Sequence, residues 1–142
     1  MSSVMWFRRD LRLADNEALC AAAANGPVTP LFVIDPALFD RAGAARIVFM
    51  LRCLRALDQS MNRALVIRHG DPKVVVPAFA REVGATEVFA AKDFVPYGMK
   101  RDAEVAAAVS KVGATLRFVG SNYAVEPGSV LKGDGTPYAV FT

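Results

Sequence analysis

The chain has 142 residues, 54 % of them hydrophobic and 22 % charged, with a formal net charge of +3. That length carries one domain with a core and excludes two, and the mild positive charge permits a polyanionic partner without demanding one. Cys20 and Cys53 are the only cysteines, which excludes a disulfide framework or a cysteine metal set and makes a reducing cytoplasm the expectation. No secretory leader is legible, and no apolar run approaches the ~20 residues of a membrane span.

Strand-like and helix-like patterns alternate along the chain. Residues 4–7 are an apolar run that stops at Arg8-Arg9-Asp10, the pattern of a buried strand opening into a charged loop. Asp15 is the expected cap of a helix over 16–24, with Gly26 just beyond it. Residues 28–34 read as a second strand ended by Asp35-Pro36, with Pro30 suited to a strand start. The strongest helix spans 43–61, with Ile47, Met50, Leu51, Leu54, Leu57 and Met61 on one stripe. A third strand over 64–67 and a turn at Gly70 follow. Asp71-Pro72 is a cap with proline at the first helical position, for a helix running to about Val83. Residues 87–91 predict a fourth strand, 92–98 a loop, 99–112 a helix and 115–119 a fifth strand. Residues 121–142 are rich in glycine and proline and read as loop.

Five strands joined by helices make a doubly wound, Rossmann-like parallel sheet with helices on both faces. The expected order is 3-2-1-4-5, which puts the switch point between the first and fourth strands, where ligands of open α/β sheets bind. The pattern by itself does not separate that order from 2-1-3-4-5. The predicted strand ends carry Arg8-Arg9-Asp10, Asp35-Pro36, His69-Gly70-Asp71, Lys92-Asp93 and Ser121-Asn122. No dinucleotide fingerprint, Walker loop, nucleophile elbow or metal-ligand spacing is present. Arg8, Arg9 and Arg12 with Asp10 and Asp15 are either an anion site or an ion-pair cluster that fixes a loop. Trp6 reads as core, His69 as a structural residue, and Asp71 as a cap. Lys92-Asp93 lies beside the first strand only in the 3-2-1-4-5 order, and Tyr97 either packs or stacks. The residues alone define a crevice of mixed charge, and no reaction.

The run from Trp6 to Leu13, with Asp15-Asn16 and Ala18-Leu19, resembles the opening signature of the DNA photolyase/cryptochrome family. The resemblance continues, in the family's order, through residues 32–36, Gly70-Asp71-Pro72, residues 93–98 with Arg101-Asp102, residues 132–138 and Val140-Phe141-Thr142. It covers only the family's amino-terminal α/β domain. It implies that residues 1–120 are this domain and that 121–142 begin the linker to a helical domain holding FAD, which this chain lacks. The implied function is the antenna domain of a deoxyribodipyrimidine photolyase, a lyase that splits pyrimidine dimers in DNA with light. The fragment alone is then not catalytic. The same domain of a cryptochrome and a free-standing nucleotide-binding domain are the alternatives. The implied partners are the helical FAD domain and, through the full-length protein, damaged DNA; no membrane is implied.

The resemblance further implies an antenna ring held by Arg8, Arg9 and Asp10 after the first strand. Phe32, Val33 and Asp35 would meet it from the second strand, and Asp93 and Tyr97 from the fourth. Arg46 would meet an anionic chain. Folate-type members carry Asn-Glu where this chain has Tyr97-Gly98, so 8-hydroxy-deazaflavin or FMN is expected rather than folate. Deazaflavin-type members often carry an acidic residue where this chain has Val95.

Overall fold

The structure is a computed structural model and describes residues 2–24 and 26–138. The Val140-Phe141-Thr142 motif lies outside the described residues. In chain order the elements are β1 (Ser3–Phe7), α1 (Glu17–Ala24), β2 (Val28–Ile34), α2 (Pro36–Phe39), α3 (Ala44–Ser60), β3 (Val66–His69), α4 (Pro72–Glu82), β4 (Glu87–Lys92), α5 (Pro96–Lys111) and β5 (Thr115–Ser121).

The sheet is five-stranded with order β3-β2-β1-β4-β5, and every adjacent pair runs parallel. This resolves the sequence ambiguity in favour of 3-2-1-4-5. All of β1 is buried, which is why its sequence is continuously apolar rather than alternating. Alternation still assigns its side chains. Val4 and Trp6 enter one cluster with Val76, Phe79, Val105 and Val109 of α4 and α5. Met5 and Phe7 enter the other with Ala18, Ala22, Leu54 and Leu57 of α1 and α3. Pro30 lies one residue before β2 begins to pair with β3 at Leu31, outside that ladder.

Several boundaries depart from the sequence reading. Asp15 does not cap α1; it takes a positive φ of 53° as part of the preceding turn. Asn16 performs that role, its Oδ1 accepting the Leu19 amide at 3.0 Å while its Nδ2 donates to the Asp10 carboxylate at 3.2 Å. Asn16→Ala is therefore expected to cost about 2 kcal/mol, the upper end for a lost cap, because it also strips a buried carboxylate of a partner. Urea denaturation measures it.

The third strand starts at Val66, two residues later than expected. Asn62 and Arg63 both adopt left-handed φ, at 53° and 63°, and the Asp58 carboxylate accepts the Leu65 amide at 3.1 Å. The chain leaving α3 therefore uses these residues to turn. Residues 96–98, expected as loop, are the first turn of α5: Val95 is extended before Pro96, and proline suits the first helical position. The four-residue α2 was not expected at all. Among the described residues no helix is long and apolar enough to cross a membrane.

Candidate functional site

At the switch point the chain leaves β1 toward β2 and leaves β4 toward β5, so the two carboxyl ends part and leave a crevice. A cavity of about 630 Å³ opens there, walled by the ends of β1, β2 and β4, by α2 and by the first turns of α3 and α5. This is within the usual ~300–1,000 Å³ range for small-molecule sites. Phe32, Leu38, Phe39, Ile47 and Met50 are among its apolar lining residues, and Asp35, Arg46, Asp93, Tyr97 and Arg101 among its polar ones.

Local chain chemistry fixes the polar groups. Asp35 ends β2 and caps α2, its Oδ1 accepting the Ala37 amide at 3.0 Å. Its Oδ2 accepts the Tyr97 hydroxyl at 2.5 Å, tying the first turn of α5 across the cavity. Asp93 follows β4, and its Oδ1 accepts the Val95 amide at 3.2 Å. The same carboxylate meets Arg101 Nη2 at 3.2 Å and the more exposed Arg9 Nη1 at 3.6 Å.

A buried charge network backs this wall. The Arg8 guanidinium pairs with the Asp102 carboxylate and donates to the Ala91 carbonyl. Arg101 reaches Asp102 Oδ1 with Nη2 at 2.8 Å and with Nε at 3.0 Å. Burial pulls the Arg8 pKa below its ordinary value, and Arg101 nearby acts in the same direction, against the attraction of Asp102. Arginine nonetheless stays a cation at neutral pH. Both guanidiniums also lie over the Trp6 ring.

Tyr97 is pushed from 10.0 up to about 12, chiefly by burial and then by its hydrogen bond to the Asp35 carboxylate. A pKa raised on folding means that the proton is held more tightly in the folded state. The stabilisation is then complete below pH 10 and is lost as pH rises toward about 12. Titrating tyrosinate absorbance should show one of the three tyrosines ionising late. Tyr97→Phe should remove that late phase and flatten the alkaline stability loss. A single shared transition near the ordinary tyrosine pKa would contradict the contact.

The structure gathers Arg8, Arg9, Phe32, Val33, Asp35, Arg46, Asp93 and Tyr97 on one cavity. Asp10 is the exception and a correction. It is 3 % exposed, accepts the Arg8 amide at 3.0 Å and lines a separate polar cavity with Arg12, Asn16 and Ser121. Of the two readings open for that cluster, Asp10 therefore follows the structural one, through hydrogen bonds rather than ion pairs. Trp6, expected as core, is both core and cavity wall. The sequence reading assigns no role to Arg101 and Asp102. Their signal was two adjacent charges in the first turns of a helix that follows a strand end. His69 is exposed at the end of the edge strand β3.

The fold and the cavity define a protein of the doubly wound α/β class with a ligand-sized cleft at its switch point. A family profile described as DNA photolyase matches residues 3–142, and the chain belongs to the DNA photolyase family. It is 35 % identical to the deoxyribodipyrimidine photo-lyase of Synechococcus sp., covering 97 % of this chain and 30 % of that protein. Among solved structures, a bacterial class III photolyase from Agrobacterium tumefaciens superposes with a TM-score of 0.87 at 31 % identity, covering 99 % of this chain and 30 % of that one. An archaeal photolyase from Sulfolobus tokodaii, solved with two FAD molecules, superposes with a TM-score of 0.83 at 26 % identity, covering 93 % of this chain and 32 % of that one. This chain thus spans about a third of the length of these relatives.

Proposed function

We propose that this domain holds a flat light-absorbing ring, a flavin or an 8-hydroxy-deazaflavin, in the cleft at the switch point. In a full-length photolyase that ring would pass excitation to FAD in a helical domain, which uses light to split pyrimidine dimers in DNA. Residues 121–142 would begin the linker to that domain. The observation that carries this reading is the cavity itself: a lining of apolar side chains together with a few polar groups, and a volume suited to a tricyclic ring.

Each wall residue has a job in this reading. Phe32, Leu38 and Met50 cover the ring and exclude water. The Asp35–Tyr97 pair presents polar atoms to a heteroatom at its edge. Arg46 is exposed and carries no ion pair among the described residues, so its cation is available for a phosphate or carboxylate chain. An antenna needs no acid, base or nucleophile, only orientation and a dry surround. Gly98 supports a flavin-type ring over folate. A Cβ built on it would lie 2.3 Å from Asp93 Oδ2, so the glutamate of the folate-type pattern has no room here. The Sulfolobus relative, described with a second FAD as a novel light-harvesting cofactor, supports an isoalloxazine at such a site.

Absorption spectroscopy of the purified domain with FMN, and of the domain co-expressed with a deazaflavin pathway, tests the proposal. A bound band is expected with at least one. Arg46→Ala should weaken FMN about tenfold, the effect of one charge-assisted contact, and leave riboflavin unchanged. No bound band with either ring would overturn the reading.

A further inference from the structure

Trp6 is the only tryptophan in the chain. It is 2 % exposed, yet it forms part of the cavity wall. The Arg8 guanidinium carbon lies 4.6 Å from its ring centroid and that of Arg101 lies 5.3 Å away. We infer that Arg8 and Arg101 keep Trp6 a poor electron donor, so that the cavity wall does not quench an excited ring bound against it. This rests on the proposed antenna role for its meaning, although the redox statement concerns only residues of this chain.

The chemistry of the loss is simple. An indole beside an excited flavin can give it one electron, leaving an indole radical cation and a reduced ring. Recombination returns the electron, and the light energy leaves as heat. A cation over a neutral indole face is attracted to the ring quadrupole. Over an indole that has lost an electron, the same cation is repelled, and more strongly in a dry site than in water. Two such cations raise the cost of the first step. Asp93 and Asp102 offset part of their charge, but they do so at the guanidinium nitrogens, at 3.2 and 2.8 Å from Arg101 Nη2. The charged groups placed over the indole face are the two guanidiniums. Tyr97 is a second candidate donor: Arg101 also lies over its ring, 5.9 Å from the centroid, and its hydroxyl donates to Asp35, which gives an oxidised phenol a proton acceptor. Trp6 must therefore be isolated from Tyr97 in any test.

Two fluorescence lifetimes provide that test. In the ligand-free protein the ultraviolet emission comes from Trp6 with no other indole to confuse it. An excited indole loses emission by giving an electron to a nearby amide carbonyl, and Arg101 over the ring should suppress this too; Arg8 also donates to the Ala91 carbonyl, where its charge would favour the transferred electron, so the variants are made at Arg101. Arg101→Gln is expected to shorten the Trp6 lifetime roughly twofold or more, while Arg101→Lys, which keeps the charge, stays near the parent. Equal lifetimes in parent and Arg101→Gln overturn the inference, as does a Lys variant that shortens like the Gln variant. In FMN-loaded protein that carries Tyr97→Phe, which removes the other candidate donor under Arg101, Arg101→Gln should shorten the FMN emission lifetime several-fold, and adding Trp6→Phe should restore it. Shortening that survives Trp6→Phe overturns the inference. Failure of FMN to bind overturns the FMN form of the antenna reading instead, and the ligand-free lifetimes still decide the redox statement. Should Arg101→Gln fail to fold by circular dichroism, the parent decides alone. A Trp6 lifetime at least as long as that of a free tryptophan amide supports the inference, and a shorter one overturns it.

Discussion

Asp102→Ala is expected to lower the unfolding free energy by about 3–5 kcal/mol, the cost of removing one partner from a buried ion pair. The Arg8 and Asp102 side chains are only 7 % and 9 % exposed. Without the carboxylate, Arg8 keeps the Ala91 carbonyl and no anion in contact, and Arg101 keeps Asp93 alone. The expectation concerns breaking the network, not its net worth. A buried pair exchanged for well-packed apolar side chains can be neutral, because the desolvation of two charges is avoided as well. Urea unfolding followed by circular dichroism measures the loss. A change below about 1 kcal/mol would mean that water reaches this network and screens it as at a surface. The bound-ring absorption band should fall with stability, since Arg8 and Arg101 back the cavity wall.

Gly98→Ala is the second substitution with a large expected effect, about 2 kcal/mol of stability together with loss of the ring binding proposed for the cavity. Gly98 is buried in the first turn of α5, and its φ is not in the left-handed region. What it supplies is close approach. An added Cβ would meet Asp93 Oδ2 at 2.3 Å and Cγ at 2.4 Å. Asp93 is pinned by Val95, Arg101 and Arg9, so it cannot rotate away without giving up those contacts. Either α5 lifts, which separates Tyr97 from Asp35, or Asp93 leaves its site. Both open the cavity at its polar groups. Gly98→Ala with unchanged stability and unchanged FMN binding would show that Asp93 is free to move. Gly98→Glu is expected to be worse than Ala and not to create a folate site, because the same carboxylate occupies the space.

The two substitutions differ in how visible their reasons were before the structure. Gly98 could be read only as a departure from the folate-type pattern; that it makes room for Asp93 depends on how α5 packs against the end of β4. Asp102 sits on the face of α5 that also carries Val105 and Val109, so a charge on an apolar stripe was a sign of a buried partner. The partner itself, Arg8, lies 94 residues away and nothing local names it. Asp10 shows the opposite error. Its place beside Arg8 and Arg9 in the chain suggested a shared site, but the chain bends after Phe7, and the Asp10 carboxylate is taken up by the Arg8 amide and Asn16 of its own loop. α2 was missed because four residues are too few for any hydrophobic period to register.

Local pattern alone determined the element types, the buried central strand, the stop at Asp35-Pro36 and the cap at Asp71. It did so because apolar period, proline and short polar side chains act within a few residues of the backbone they shape. It also placed Arg8, Arg9, Asp35 and Asp93 at strand ends, since any parallel sheet collects its loops at one edge, whereas Phe32, Val33, Arg46 and Tyr97 came from the family resemblance. Only the tertiary structure decided the strand order, the Tyr97–Asp35 contact across 62 residues, the Arg8–Asp102–Arg101 network and the cations on Trp6. Periodicity reports whether a side chain is buried, and never against what. That partner is chosen when β4 comes to lie beside β1, a long-range pairing whose register no short stretch of the chain contains.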